Sequence, residues 1–289
     1  MDDEELRALR RAKWHLDGNP VRTIDEARAF IESVGFCLMY PIRQPLVVPT
    51  FIGAWAGSDD RLPTGLQAFA DPRAQEATDL MVRLLRSRTA YEAKLFEDNI
   101  FLVSASVFPY FYSLMGERMP RSAPKAGPRS EYSDLACDVF QLIQREGPIS
   151  KPKMQEKLGG GLSLSAVDRA LVELWSRLRI TRVDYNPLEG AFWDDMFRWS
   201  PELVREGIQI SLPSGLTALV SKYLDCVVAA DQVEIDSFFS HFVPLSRVKE
   251  SMNALSALRE LSHVRVGDRL LYQVTPPAPV RPRRPVVLS

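Results

Sequence analysis

Between Ser130 and Val274 the chain passes twice through one pattern, three helical stretches followed by a short pair of strands, and few folds satisfy that order in tandem. In the first copy Ser133 is placed to cap a helix whose apolar residues Leu135, Val139, Leu142 and Ile143 recur at helical spacing, and Gly147-Pro148 stops it. A second short helix fits Lys151 to Leu158, broken by Gly159-Gly160-Gly161. The third starts near Ser163 or Ser165 and turns Val167, Leu171, Leu174, Trp175 and Leu178 inward. Ile180 to Tyr185 then reads as a strand, Asn186 to Gly190 as a turn, and Ala191 to Trp199 as the returning strand and its exit. The second copy predicts helices over Leu216 to Val228, Val233 to His241 and Leu245 to Leu261. A hairpin closes it, with strands at Val264 to Val266 and Arg269 to Val274 around the turn residues Gly267-Asp268.

This order is that of a winged helix, with the third helix in the recognition position and the hairpin as the wing. The expected fold class is therefore mostly α with small β-hairpins, an α+β chain of tandem winged-helix domains. Winged helices contact nucleic acid, but they also serve as rigid packing modules and protein-contact surfaces, so the fold alone leaves both uses open.

A chain of 289 residues, 46% of them hydrophobic, has room for more than one core. Two or three domains of ~100 residues fit the usual size range. The expected boundaries are an amino-terminal helical or winged-helix-like unit over 1–117, a Pro/Arg linker over 118–130, winged helices over 131–206 and 207–275, and a Pro/Arg-rich tail over 276–289. The linker carries Arg118, Arg121, Lys125 and Arg129 without an acid, and the tail carries Arg281, Arg283 and Arg284. That tail reads as extended and polyproline-like, and it is a possible protein-contact segment. A net charge of −1 argues against bulk electrostatic capture of DNA, so the distribution of cations carries the argument. No stretch has the length and apolarity of a membrane span, and Met1-Asp2-Asp3-Glu4-Glu5 has the wrong chemistry for a secretion signal, so no membrane association and a cytoplasmic location are expected. Cys37, Cys137 and Cys226 lie far apart in apolar surroundings and read as reduced core residues. His15, His241 and His263 stand at no metal-ligand spacing, and neither a metal nor a cofactor is expected.

The amino-terminal unit opens with a helix through Leu6, Leu9, Lys13 and Trp14. A second begins at the capping box Thr23-Ile24-Asp25-Glu26, shows Ala27, Phe30, Ile31 and Val34 on one face, and ends at Gly35. Gly35 to Ile42 is an almost continuous apolar run, as expected of a buried strand or irregular core segment. A short helix is expected around Trp55, and Pro72 to Arg88 predicts an amphipathic helix with Arg83, Arg86 and Arg88 on its polar side. Phe108 to Tyr112 is an aromatic string able to stack on bases, but its apolar neighbours Val107, Leu114 and Met115 favour packing in the core.

Several of these segments resemble a known family. The helix exit Val34-Gly35-Phe36, the segments Pro41-Ile42, Trp55-Ala56-Gly57 and Phe108 to Leu114, and Gly147-Pro148-Ile149 ahead of tandem winged helices look like an AlkZ-related branch of the AlkZ/YcaQ-type DNA glycosylases. The resemblance spans most of residues 5 to 274. It implies three tandem winged helices lining a concave DNA surface, and excision of alkylated or crosslinked bases. It also implies a catalytic Gln, apolar, Asp or Gln motif just after the helix exit, and those places fall here on Leu38, Met39 and Tyr40. Leucine cannot position water or stabilise an oxocarbenium-like sugar. Tyr40 can hydrogen-bond a phosphate or a base edge, or pack beside Pro41. The family's histidine-bearing stretch corresponds to Phe96 to Val103, which holds no histidine, while Glu97, Asp98 and Asn99 form the nearest acidic or amide cluster, available as a relocated base or as a loop cap.

The leading expectation is a duplex-DNA-binding protein without the family's catalytic pair. An active glycosylase with displaced chemistry and a protein-interaction scaffold are the alternatives. Candidate DNA contacts are Arg169, Arg177 and Arg179 around the first recognition helix, Arg247 and Lys249 at the second, Arg265 and Arg269 on its wing, and Arg83, Arg86 and Arg88.

Overall fold

In the computed structural model the described residues are 1–43, 46–68, 70–96, 99–128 and 130–276. Glu97, Asp98, Arg129 and the tail arginines Arg281, Arg283 and Arg284 lie outside them. The chain opens with α1 (Asp3–Lys13), started by a capping box in which Asp2 accepts from Glu5 N and Glu5 accepts from Asp2 N. The second helix, α2 (Ile24–Val34), begins at the expected box, with Glu26 N donating to Thr23 Oγ1 at 3.2 Å and Thr23 N to Glu26 Oε2 at 2.8 Å. Gly35 ends α2 at φ 80°, a left-handed conformation that side chains other than glycine rarely adopt. The apolar run that follows supplies β1 (Phe36–Leu38), and α3 (Phe51–Ala56) carries Trp55. A 3-10 turn at Gly65–Gln67 precedes α4 (Pro72–Arg86), which Asp71 caps.

Next comes a hairpin, β2 (Ala90–Phe96) and β3 (Asn99–Ser104), and it makes an antiparallel sheet in the order β1-β3-β2. One row of that sheet aligns Cys37, Leu102 and Glu92, and the neighbouring row aligns Leu38, Phe101 and Ala93. The aromatic string forms α5 (Phe108–Met115), whose Phe108, Phe111 and Tyr112 are buried, so packing takes this segment and base stacking does not.

The middle of the chain follows the expected order with one addition. Ser133 caps α6 (Asp134–Glu146), β4 (Ile149–Ser150) comes next, α7 (Lys151–Lys157) follows, and Ser163 caps α8 (Leu164–Trp175). The hairpin is β5 (Ile180–Asn186) and β6 (Gly190–Asp195), and β4 pairs with β6 to give the antiparallel order β4-β6-β5. The expected strand exit is instead helical, with α9 (Met196–Trp199) and α10 (Pro201–Gln209), because Asp195 and then Pro201 provide helix starts.

The last third holds α11 (Leu212–Val227), α12 (Gln232–Phe239) and α13 (Leu245–Ala257), then β7 (Leu261–Val266) and β8 (Arg269–Val274), with Val266 paired to Arg269 across the two-residue turn. Helix α13 ends short of Leu261 because Arg259 turns left-handed at φ 60°, which frees Leu261 to start the strand.

Buried side chains gather into clusters that draw on distant parts of the chain. One apolar core draws on residues of 1–117 and 207–275 together with Leu178, Met196 and Val204, and in it Phe36 of β1 stacks on Phe238 of α12 at 5.3 Å and Phe111 of α5 meets Phe242 edge-on at 5.8 Å. Helix α10 packs on α5 within this body. The segment from α6 to β6 keeps its own core of Phe140, Ile143, Leu171 and the edge-on Trp175–Trp193 pair at 4.9 Å. Cys37, Cys137 and Cys226 are buried thiols. Among the described residues no helix is long and apolar enough to cross a membrane, and no cluster of potential ligands is grouped as a metal site would need.

Candidate functional site

A cleft opens where the first sheet and α4 face the β5-β6 hairpin and α8. One cavity of about 600 Å³ is walled by Met39, Tyr40 and Ile42 just beyond β1, by Met81, Val82 and Leu85 of α4, and by Glu92, Asn99, Arg182 and Tyr185. Its neighbour, about 850 Å³, adds Lys94, Lys151, Asp168, Arg169, Trp175 and Trp193. Asn99, Ile100, Arg182, Tyr185 and Ala191 border both, so the two are compartments of one groove.

Glu92 is the chemically distinctive residue of this groove. The β2 backbone there is pinned by Trp175, whose Nε1 donates to Glu92 O at 3.0 Å, and the side chain is fully buried. Arg182 Nε approaches Glu92 Oε2 to 2.9 Å, but out of line for a hydrogen bond, and both carboxylate oxygens lack a donor. The contact is thus an ion pair by distance without the directional bond that would satisfy a buried carboxylate. Burial pushes the Glu92 carboxyl above its ordinary value, and the Arg182 charge only partly offsets that. Arg182 itself lies over Trp175 at 4.5 Å and Trp193 at 5.4 Å. Nearby, Tyr40 is nearly buried and shares a 3.0 Å hydrogen bond with Thr78 Oγ1, while burial raises its phenol. Leu38 faces the core, 2% exposed, and does not border the cavity.

The cations singled out in the sequence have divergent fates. Arg169 alone among them borders the groove; it is exposed and has no ion-pair partner among the described residues. Arg83, Lys249 and Arg265 are likewise exposed and unpaired among those residues. Arg86 Nε donates to Asp184 at 2.7 Å across the cleft, Arg177 pairs with Glu131, Arg247 with Glu250 at 3.1 Å, and Arg269 with both Asp3 at 2.7 Å and Asp231 at 3.3 Å. Arg88 stacks on Trp199 at 4.4 Å. Arg179 departs from its expected role: it is 4% exposed, lies over Phe140 at 4.2 Å and donates to the carbonyls of Met119 and Ser122, so it anchors the linker and is not presented to a phosphate. Arg118 bonds Ile208 O and Arg121 lies over Phe197 at 4.6 Å, so linker cations too are engaged in packing. The groove's other cations are Arg43, Lys94, Lys151 and Arg182, none of which stands in a motif or charge run that marks it in the sequence.

The family model for DNA glycosylase AlkZ-like proteins matches residues 71–288. The chain belongs to the AlkZ-like DNA glycosylase family. That membership gives it a DNA-repair-related role. Among solved structures, the fold matches the Streptomyces sahachiroi DNA glycosylase AlkZ with a TM-score of 0.61 at 13% identity, covering 95% of this chain and 70% of that one. No curated protein matches the sequence. The AlkZ-like match begins at residue 71, so it covers Glu92 and the hairpin but not Leu38 to Tyr40.

Proposed function

We propose that this AlkZ-like chain binds duplex DNA in the groove between its amino-terminal sheet and the β5-β6 hairpin, without the family's catalytic pair at residues 38 and 40. The observation that carries this reading is the continuity of the two cavities together with Arg43, Lys94 and Arg169 on their walls, where Lys151 and Arg182 already pair with Asp168 and Glu92. The order helix, short strand, two helices and hairpin, with β4 joined to β6, supports a winged helix in which α8 is the recognition helix and Arg169 is carried on its exposed face. Arg83, Lys249 and Arg265 extend the contact where the duplex reaches them. Arg86, Arg177, Arg247 and Arg269 contribute only by exchanging a carboxylate for a phosphate, which lowers their net worth. Cytoplasmic residence accords with the same role.

Titration of an end-labelled duplex at several salt concentrations tests the proposal. Binding should weaken steeply with salt, and Arg169→Ala should reduce the salt slope by about one. A duplex that does not bind at low salt overturns it.

Glu92 favours a second reading, an active glycosylase with relocated chemistry. In such a reaction water oxygen bonds the sugar C1′ as the C1′–N bond breaks, Glu92 gives its proton to the departing base, and the proton lost by water returns to Glu92. Burial raises the Glu92 carboxyl above its ordinary value, the direction that first transfer needs. Of the earlier acid-amide cluster only Asn99 is described, and it borders both cavities. Abasic sites formed in alkylated DNA by the wild type and not by Glu92→Gln would support this reading; their absence across several lesions would overturn it.

A further inference from the structure

We infer that β7 offers a docking edge to an extended, acidic segment of a partner protein, which joins the closing hairpin as an added strand. The backbone sets this up. Tyr272 of β8 exchanges both of its main-chain hydrogen bonds with Ala230, donating at 2.8 Å and accepting at 2.9 Å, so its N–H and C=O point away from β7. His263 is paired directly opposite Tyr272, and in an antiparallel ladder the two residues of such a pair both turn their N–H and C=O outward. Arg265, two residues along, has the same orientation. Both residues are exposed, and among the described residues nothing bonds their amides or carbonyls. The first sheet treats its edges otherwise: Leu38 N–H of β1 donates to Pro49 O at 3.0 Å, and Glu92 O of β2 accepts from Trp175 Nε1 at 3.0 Å. The β7 ladder runs in regular register from Leu261 to Val266, without proline or bulge. An open, regular edge of this kind accepts another strand.

Charge and apolar surface select the occupant. Arg265 on the strand and Arg259 just ahead of it are exposed, and neither meets a carboxylate among the described residues. Leu270, paired across from Arg265, is exposed beside that cation. On the opposite face Val264 is half-buried against the small core of Leu6, Ala229, Val266 and Leu271. Side chains of an added strand alternate between the two faces, so the fitting segment sets carboxylates beside Arg265 and apolar residues beside Val264. A nucleic-acid backbone fits this edge poorly, because its phosphates accept from the outward N–H groups but bring no donor to the outward carbonyls. A second copy of β7 would bring the same cation to the edge, and like charges set side by side across strands are unfavourable. The chain's own tail, with Arg281, Arg283 and Arg284, carries that sign too.

The experiment uses the full chain and a fluorescein-labelled peptide that alternates valine and glutamate, read by anisotropy and by deuterium uptake of residues 261–266. Anisotropy should saturate, and uptake over 261–266 should slow when the peptide is present. The same peptide methylated on its backbone nitrogens should not bind. A peptide with lysine in place of glutamate should bind about tenfold more weakly, and Arg265→Glu should reverse the order of the two. His263→Pro removes an outward N–H and no hydrogen bond to β8, so it should abolish binding; if that variant fails to fold, the methylated peptide on the wild type decides. Absence of saturation, or equal binding of the methylated peptide, overturns the added strand. Equal binding of the lysine peptide overturns the acidic partner. A duplex that displaces the peptide and slows uptake over 261–266 in its place assigns the edge to nucleic acid, and a wild-type dimer in sedimentation that His263→Pro dissolves assigns it to a second copy; either result overturns the proposal.

Discussion

Phe238→Ala should loosen both ends of the chain at once. The ring lies within 5.3 Å of Phe36, 4.7 Å of Tyr223, 4.9 Å of Phe239 and 5.3 Å of Phe242, and it is fully buried. Truncating a buried phenylalanine costs about 3–5 kcal/mol from lost transfer energy and the cavity left behind. Its aromatic neighbours place this site near the upper end, since each good pair adds about 0.5–1.5 kcal/mol, although the four contacts share one ring and do not sum. Against a typical stability of about 5–15 kcal/mol that is a large fraction. Because Phe36 belongs to β1 and Phe238 to α12, hydrogen exchange followed by mass spectrometry should show α2, β1 and α12 losing protection together, while α6 and α8, which pack on the Trp175–Trp193 core, lose less. Loss confined to residues 207–275, with α2 and β1 as protected as in wild type, would refute the shared core.

A folded-state acid raised above its ordinary value of 4.5 holds a proton that the unfolded chain releases, so Glu92 lowers stability as pH climbs above that value. Glu92→Gln removes the effect, and its melting temperature relative to wild type should rise between pH 4.5 and 7; a difference that ignores pH would contradict the raised value. Arg179→Ala should release the carbonyls of Met119 and Ser122, and limited proteolysis should then cut within 118–128 faster than in wild type. Equal cutting rates would show the linker to be held by other contacts. Leu38→Gln should destabilise by about 3 kcal/mol by burying an unpaired amide in a tight core. A gain of abasic-site formation in that variant would show instead that position 38 reaches the substrate.

Elements with their own local grammar were legible. Ser133, Thr23 and Ser163 each announce a helix start that the chain uses, and Gly267-Asp268 sets a register that pairs Val266 with Arg269. The β2-β3 hairpin was not, because Tyr91, Glu92 and Ala93 are all buried in succession, so the strand shows no alternation of apolar and polar residues. Charges were the least legible feature. Arg86 meets Asp184, and Arg269 meets Asp3, across separations that no window along the chain spans, so cations that look available in one dimension are neutralised in three. The groove draws its walls from segments near residues 40, 65, 80, 92, 100, 151, 169 and 182, and in none of these does a single residue type betray it.

The geometry of the first sheet bears on where chemistry can reside in this chain. Leu38 sits on the edge strand β1 with its side chain in the core, and the row next to it carries Cys37, Leu102 and Glu92 across three strands. A carboxylate on β2 therefore stands about two strand spacings, roughly 10 Å, from the β1 backbone beside Leu38. That distance is short compared with a nucleotide and its neighbours. The apolar side chain of Leu38 thus need not empty the cavity of chemistry, because Met39 and Tyr40 wall it and Glu92 enters from the other edge strand of the sheet. A buried carboxylate without a hydrogen-bond donor destabilises the fold that carries it. Stability alone would favour an apolar residue at this buried place on β2.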